Sequence, residues 1–187
     1  MNRELKLVEL VDETGRPIGS STVDQAHTAP GQLHRAFSVL LVGPDGRLLL
    51  QQRAAVKSRF PLRWANACCG HPAPAGDVPL AEHVPLAAAR RLAEELGVTG
   101  IPLTEIGVYA YRADDPATGR VEYEYDHVLL GRTLSSVELR PDPDEVADLR
   151  WVPTADILSA IEAAPDAYAP WLAGVVRELI RELERAR

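Results

Sequence analysis

The segment AAVKSRFPLRWANACCGHPAPAGD, residues 54–77, restricts the fold of this chain more than any other stretch. It has too much proline and glycine for a regular element, and irregular segments this long inside a compact domain usually carry function. Before it, AFSVLLVGPDGRLLLQQR reads as a β-hairpin, with strands at Phe37–Val42 and Leu48–Gln52 about a Gly-Pro-Asp-Gly turn. After it, PLAAARRLAEELGV reads as a strong helix, with Pro85 near its start and Gly97 just past its end. A hairpin, a long loop and then a helix do not make the regular strand–helix alternation of a Rossmann-type sheet.

The flanking patterns agree. LKLVELVDETGRPIGSSTV reads as two short strands about an Asp-Glu-Thr-Gly turn, and QAHTAPGQLH as a loop leading into a strand. IPLTEIGVYAYRADD and VEYEYDHVLLGRTL read as strands joined by a polar turn at Pro116–Arg120, and EVADLRWVP as a further short strand. Thr154 is placed to cap a short helix running through Ala163. Leu172, Val175, Val176, Leu179, Ile180 and Leu183 recur at helical spacing in a terminal amphipathic helix. The expectation is a mixed α/β (α+β) sandwich with one core, a single domain over residues 1–187.

The net charge of −7 disfavours a nucleic-acid partner held by general electrostatics. No apolar run approaches the ~18 residues needed to span a bilayer. MNRELKLVELVDETG lacks the apolar centre of a signal peptide, so a cytoplasmic location without membrane insertion is expected.

The chain's two cysteines, Cys68 and Cys69, are adjacent. Neighbouring Cα atoms lie about 3.8 Å apart, closer than a disulfide normally allows, and no C-x-x-C metal clasp is present. Thiol chemistry or packing remains.

Of five histidines, His27 and His34 flank a Pro-Gly loop and His71 follows the cysteines. In VEYEYDH, Glu122 and Glu124 are two apart on a strand and so face the same side. Two readings stand. Three imidazoles and two carboxylates could form a five-ligand nitrogen/oxygen site for Mn²⁺, Mg²⁺, Fe²⁺ or an expanded Zn²⁺ site. Alternatively, the glutamates line a solvated edge and the histidines lie scattered in loops.

The helix is similarly open. Arg90–Glu94 and Arg91–Glu95 are i,i+4 pairs worth a few tenths of a kcal/mol each. Yet two acidic residues in a last turn oppose the helix dipole, which suggests a nearby cation.

The stretch from Gly76 to Val98 resembles the Nudix box, G-x5-E-x7-R-E-U-x-E-E-x-G-U, where U is aliphatic. It departs at one position, where Arg91 stands for a glutamate. In hydrolytic members that helix holds the divalent ions that activate water, so an arginine there argues against hydrolysis. AHTAPGQLHRAFS, WANACCGHP, YRA, VEYEYDH and PWL follow in the order seen in type 1 isopentenyl-diphosphate isomerases, a non-hydrolytic Nudix branch. The resemblance covers about residues 5–180, and N-x-x-C-G-H-P together with the altered box is highly specific.

The resemblance implies a 1,3-allylic proton shift from isopentenyl to dimethylallyl diphosphate through a carbocation-like intermediate. Its catalytic residues would be Cys69, Glu124 and Tyr111. The metal ligands would be His27, His34, His71, Glu122 and Glu124, holding Mn²⁺, with Zn²⁺ or Mg²⁺ as alternatives. Glu95 and the Cys69 backbone carbonyl would hold a second ion, Mg²⁺, bridging to the diphosphate. Arg53, Lys57 and Arg91 match diphosphate-binding positions, and Trp171 the tryptophan beside the cationic carbon. On this reading Cys68 is packing, His83 and His127 are surface or structural, and Trp64 and Trp151 are structural. Arg59, Arg63 and Arg90 are surface or ion-pair residues. A monomer acting on a small-molecule diphosphate is expected. A Nudix diphosphate hydrolase and a non-catalytic ligand-binding module are the competing readings.

Overall fold

The strand HRAFSVLLV, β3 (His34–Val42), is buried at every position. Burial at every position, even of His34, Arg35 and Ser38, marks a strand covered on both faces rather than one facing water. The structure, a computed structural model, describes residues 3–74 and 80–185, without the side chains of residues 80–82. Gly76, at the start of the box-like stretch, lies outside the described residues, and so does the side chain of Glu82.

Among the described residues nine strands form one mixed sheet around β3. The hairpin of β1 (Leu7–Val11) and β2 (Pro17–Thr22) joins β3 at its start, where Leu10 pairs with His34. β4 (Arg47–Arg53) completes the expected hairpin with β3 and carries β9 (Val146–Pro153) along its length. β7 (Leu103–Asp115) and β8 (Arg120–Arg132) form a long antiparallel pair, and β8 runs parallel to β3 from His34↔Glu124 to Val42↔Arg132.

Alternation along β3 divides the core into two layers. Leu40 and Val42 pack with α3 (Ile157–Ala163) and α4 (Leu172–Arg185), while Phe37, Val39 and Leu41 pack with α2 (Leu80–Leu96). Helices therefore cover both faces, as the expected sandwich requires. The short α1 (Val23–Ala26) is capped by Thr22, whose Oγ1 accepts from Gln25 N at 3.2 Å.

Three local expectations need correction. The long loop contains two short strands, β5 (Trp64–Ala65) and β6 (Cys68–Gly70), because sheet edges on β4 and β3 pair with its backbone. Gly70 is therefore a strand residue. Pro85 lies inside α2, as its sixth residue, and not at its start. Thr154 opens a 3₁₀ turn, and its Oγ1 donates to Gly46 O at 2.9 Å, so a tertiary acceptor takes the hydroxyl read as a helix cap.

His127 is structural, as read. Arg35 donates to its Nε2 at 2.8 Å and to Glu9 at 2.7 Å, so the imidazole proton sits on Nδ1, 3.0 Å from Glu105. That chain ties β1, β3, β7 and β8 together. Among the described residues no helix is long and apolar enough to cross a membrane.

Candidate active site

Strand periodicity puts Glu122, Glu124 and Asp126 of β8 on one face, and all three are buried. The parallel register sets His34 beside Glu124, and the antiparallel one sets Tyr111 beside it on the other side. His27 follows α1, and its carbonyl accepts from Val121 N at 3.0 Å. Gly31, at φ +86, lets this loop lie against β8, since a Cβ there would come within 2.8 Å of Val121. His71 follows β6, which is held to β3 by the pairing of Phe37 with Gly70.

The three imidazoles converge, with ring centroids 4.6, 4.8 and 5.0 Å apart. Nδ1 of His27 lies 2.7 Å from Val23 O, and Nδ1 of His34 lies 2.7 Å from Gln32 O. A carbonyl can only accept, so in the neutral rings both Nδ1 atoms carry the proton and both Nε2 atoms present lone pairs. Those lone pairs meet more acceptors: His27 Nε2 is 2.9 Å from Glu122 Oε2, and His34 Nε2 is 3.7 Å from Glu124 Oε1. The Nε2 atoms and Glu122 Oε2 are buried without a hydrogen-bond partner. His71 Nε2 lies 2.8 Å from Glu124 Oε1.

Acceptors facing acceptors in a buried space are unfavourable unless a cation lies between them. The ligand atoms of His27, His34, His71 and Glu124 all lie within 4.8 Å of one another, a donor set that fits a divalent ion. Glu122 stands beside them, shared with Arg59, whose Nε donates to Oε1 at 3.1 Å. Arg59 is thus an ion-pair residue, as read, but its partner is one of the expected ligands.

Burial holds His34 and His71 in the neutral, ligating form. Desolvation drives His34 down to about 3, and desolvation together with His27 pushes His71 well below its ordinary value. Burial and the neighbouring Glu122 raise Glu124 to about 7. For Glu122 burial acts upward, but positive charge beside it, on His27 when that ring is protonated and on Arg59, outweighs it and holds the carboxyl well below the usual range.

Cys69 sits in the same cavity, which measures about 950 Å³ and is also lined by His71, Tyr111, Glu124 and Trp171. Its Sγ donates to Asn66 Oδ1 at 3.2 Å and lies 3.5 Å from Ser38 Oγ, which in turn donates to Asp126 Oδ2 at 2.7 Å. Burial pushes the thiol up to about 12, and Asp126 adds to the rise, so the neutral form dominates at ordinary pH. Cys68 is fully buried in the layer under α2 and is packing, as expected. Tyr111 Oη donates to Glu124 Oε2 at 2.7 Å. The Trp171 ring lies 5.6 Å from Phe60 and 6.0 Å from Tyr111, closing an aromatic wall.

The cationic side chains line the same cavity. Arg53 donates from Nε to Phe60 O at 3.0 Å and from its NH2 nitrogen to Arg59 O at 2.7 Å, with its guanidinium 5.3 Å from the Trp171 centroid. Lys57 Nζ lies 2.5 Å from Glu145 Oε2, and Arg91 donates to the same oxygen at 3.2 Å. Arg3 also pairs with Glu145. Arg91 further pairs with Glu94, at 2.9 Å, and with Glu95, while Gln51 donates to Glu95 Oε2 at 2.9 Å. The helix carboxylates are therefore ion-paired, and the arginine that pairs them lines the cavity.

Ser38, Asn66, Asp126 and Glu145 were not singled out from sequence. Asp126 could have been, since it continues the Glu122–Glu124 alternation, and Asn66 lies in a quoted motif. Glu145 carries no local signal, because its partners are far away in the chain.

The NUDIX domain family matches residues 32–179. A relative from Nocardia farcinica named isopentenyl-diphosphate delta-isomerase is 62% identical over 90% of this chain and 91% of its own. One of the same name from Streptomyces coelicolor is 48% identical over 96% of this chain and 88% of its own. Among solved structures, DR0079 of Deinococcus radiodurans superposes with a TM-score of 0.70 at 20% identity, over 92% of this chain and 98% of its own. A MutT protein from Methanosarcina mazei reaches 0.59 at 18% identity, over 80% and 94% of the two chains. At those identities the structures speak to the fold alone, whereas the relatives define the branch. The chain belongs to the NUDIX family and, within it, to the isopentenyl-diphosphate delta-isomerase family.

Proposed function

We infer that this chain is an isopentenyl-diphosphate isomerase, moving a carbon–carbon double bond by adding a proton at one end of the allylic unit and removing one at the other. The observation that carries the reading is the placement, in one cavity, of the Cys69 thiol, held by Asn66, and the Glu124 carboxyl, held by Tyr111. Proton transfer of this kind needs one group on each side of the reacting carbons. Tyr111 holds Oε2 of Glu124 through its hydroxyl, and so orients the carboxyl. The Trp171 face stabilises positive charge developing on carbon, by about 2 kcal/mol when desolvated, and with Phe60 it excludes water.

Arg53, Lys57 and Arg91 bind the diphosphate. Lys57 and Arg91 both rest on Glu145, which the incoming anion displaces. His27, His34, His71 and Glu124, with Glu122 beside them, would hold a divalent ion, best matched by Mn²⁺ on a mixed nitrogen/oxygen set. Glu95 and the Cys69 carbonyl would hold Mg²⁺. When bound, these ions supply positive charge that offsets the buried carboxylates and the diphosphate. We propose a cytoplasmic monomer in which residues 1–187 act as one domain.

The direct test incubates the protein with isopentenyl diphosphate and Mg²⁺ in D₂O and follows the products by proton NMR. Dimethylallyl diphosphate carrying deuterium is expected. Phosphate release without isomerisation would instead establish a hydrolase, against which Arg91 stands in place of a metal-binding glutamate.

Metal binding is testable without substrate. Free Mn²⁺ at 100 times its dissociation constant stabilises a protein by about 2.7 kcal/mol. For a domain of this size that raises Tm by roughly 5–10 °C. Differential scanning calorimetry of metal-stripped protein should show this shift, and His34→Asn should lose most of it. An equal shift in the variant would remove His34 from the ligand set.

Burial and the nearby Arg53, Arg91 and Arg3 lower Lys57 from 10.5 to about 7, with Glu95 pulling the other way. A bound diphosphate would raise it again. Between about pH 7 and the ordinary lysine value, the free protein carries fewer protons than the complex. Binding inorganic diphosphate at pH 8 should therefore take up a proton, and affinity should fall as pH rises. Titration calorimetry in two buffers of different ionisation enthalpy measures the uptake, which Lys57→Arg should abolish.

A further inference from the structure

We propose that Asn66 is the positioning residue that holds the Cys69 thiol and the Trp171 indole in fixed relation, an inference that rests on the isomerase reading. The side chain is completely buried, between β5 and β6. Its Oδ1 accepts two hydrogen bonds, from Cys69 Sγ at 3.2 Å and from Trp171 Nε1 at 3.1 Å. Its Nδ2 donates two, to Val39 O at 3.2 Å and Cys68 O at 2.8 Å. Two carbonyls can only accept and an indole N–H can only donate, so the amide has one permitted orientation. All four of its hydrogen-bonding positions are in use.

The consequence lies in what this amide connects. Cys69 belongs to β6, while Trp171 immediately precedes α4, and the two are otherwise set by different elements. The backbone carbonyls of Val39 and Cys68 anchor the amide to the sheet, so the single oxygen it presents gives thiol and indole a common reference point. Proton delivery by Cys69 and charge stabilisation by Trp171 must act on the same five-carbon unit. An error of about 1 Å in such a constellation can lower a rate about 100-fold. None of the four hydrogen bonds of Asn66 goes to Arg53, Lys57 or Arg91, so diphosphate binding should depend little on it.

The test reads the thiol directly. In a Cys68→Ala background the only S–H stretching band is that of Cys69, and hydrogen-bond donation lowers its infrared frequency. Asn66→Ala and Asn66→Ser should each move that band up. Trp171→Phe, which leaves Asn66 intact, should move it down, because the thiol then has the oxygen to itself. In the isomerisation assay the Asn66 variants should lose about 10–100-fold in kcat with KM within about twofold.

A band unmoved by the Asn66 substitutions and by Trp171→Phe would overturn the shared hydrogen bond. A shifted band with unchanged kcat would overturn the positioning role. If the unsubstituted protein itself fails to isomerise the substrate, the activity falls and the catalytic role with it, whatever the band does. The infrared measurement on Trp171→Phe keeps the hydrogen bond testable even if neither Asn66 variant folds.

Discussion

Cys69→Ala is expected to lower the isomerisation rate by at least about 10³-fold, while KM changes little. A positioned acid or base contributes typically 10²–10⁴-fold, and here the thiol is the only titratable side chain that Asn66 directs from its side of the cavity. The neighbours that remain, an amide oxygen and the Ser38 hydroxyl, are poor proton donors and acceptors near neutrality. Diphosphate binding should survive, because Arg53, Lys57 and Arg91 are untouched. The loss is of a sulfur atom rather than of a core side chain, so Tm should stay within a few degrees. Steady-state kinetics by NMR, with calorimetry on the same sample, checks both expectations. Full activity in the variant would remove Cys69 from the mechanism.

Glu124→Gln should be as damaging, for two reasons that can be separated. Its carboxylate accepts from Tyr111 and lies within 4.0 Å of His27, His34 and His71. On the proposed roles, replacing it with an amide removes a proton carrier and a metal ligand together. We expect a rate loss of about 10³-fold or more. A weakening of Mn²⁺ binding by at least about 10-fold should accompany it. Measuring bound metal alongside turnover distinguishes the two. If activity returns when the variant is saturated with Mn²⁺, Glu124 acts only as a ligand and another base must be sought. If metal binding is intact but turnover is lost, its role is in proton transfer alone.

Much of the architecture was legible because it is local. The hairpin at β3 and β4, the α2 pattern and the amphipathic α4 follow from turn residues and periodicity over a few neighbours. The shared face of Glu122 and Glu124 follows from the two-residue repeat of a strand. The short strands β5 and β6 could not be seen in the same way. Their sequence has little strand character, and they form because β4 and β3 present free backbone edges to them. The Thr154 hydroxyl was misread for a related reason: Gly46, distant in the chain, offered it a better acceptor.

The amino-acid sequence by itself determined which chemistry is available: a thiol and an imidazole three positions apart or less, alternating carboxylates, and an arginine where hydrolytic relatives of the box carry a glutamate. The tertiary structure decided which of these groups meet. Asn66 reaches Trp171, Ser38 reaches Asp126, and Lys57 and Arg91 share Glu145, across separations of 105, 88, 88 and 54 residues. No periodicity reports such contacts. They depend on the register of β8 against β3 and on the helices packed over each face, which are set cooperatively by burial of the whole core.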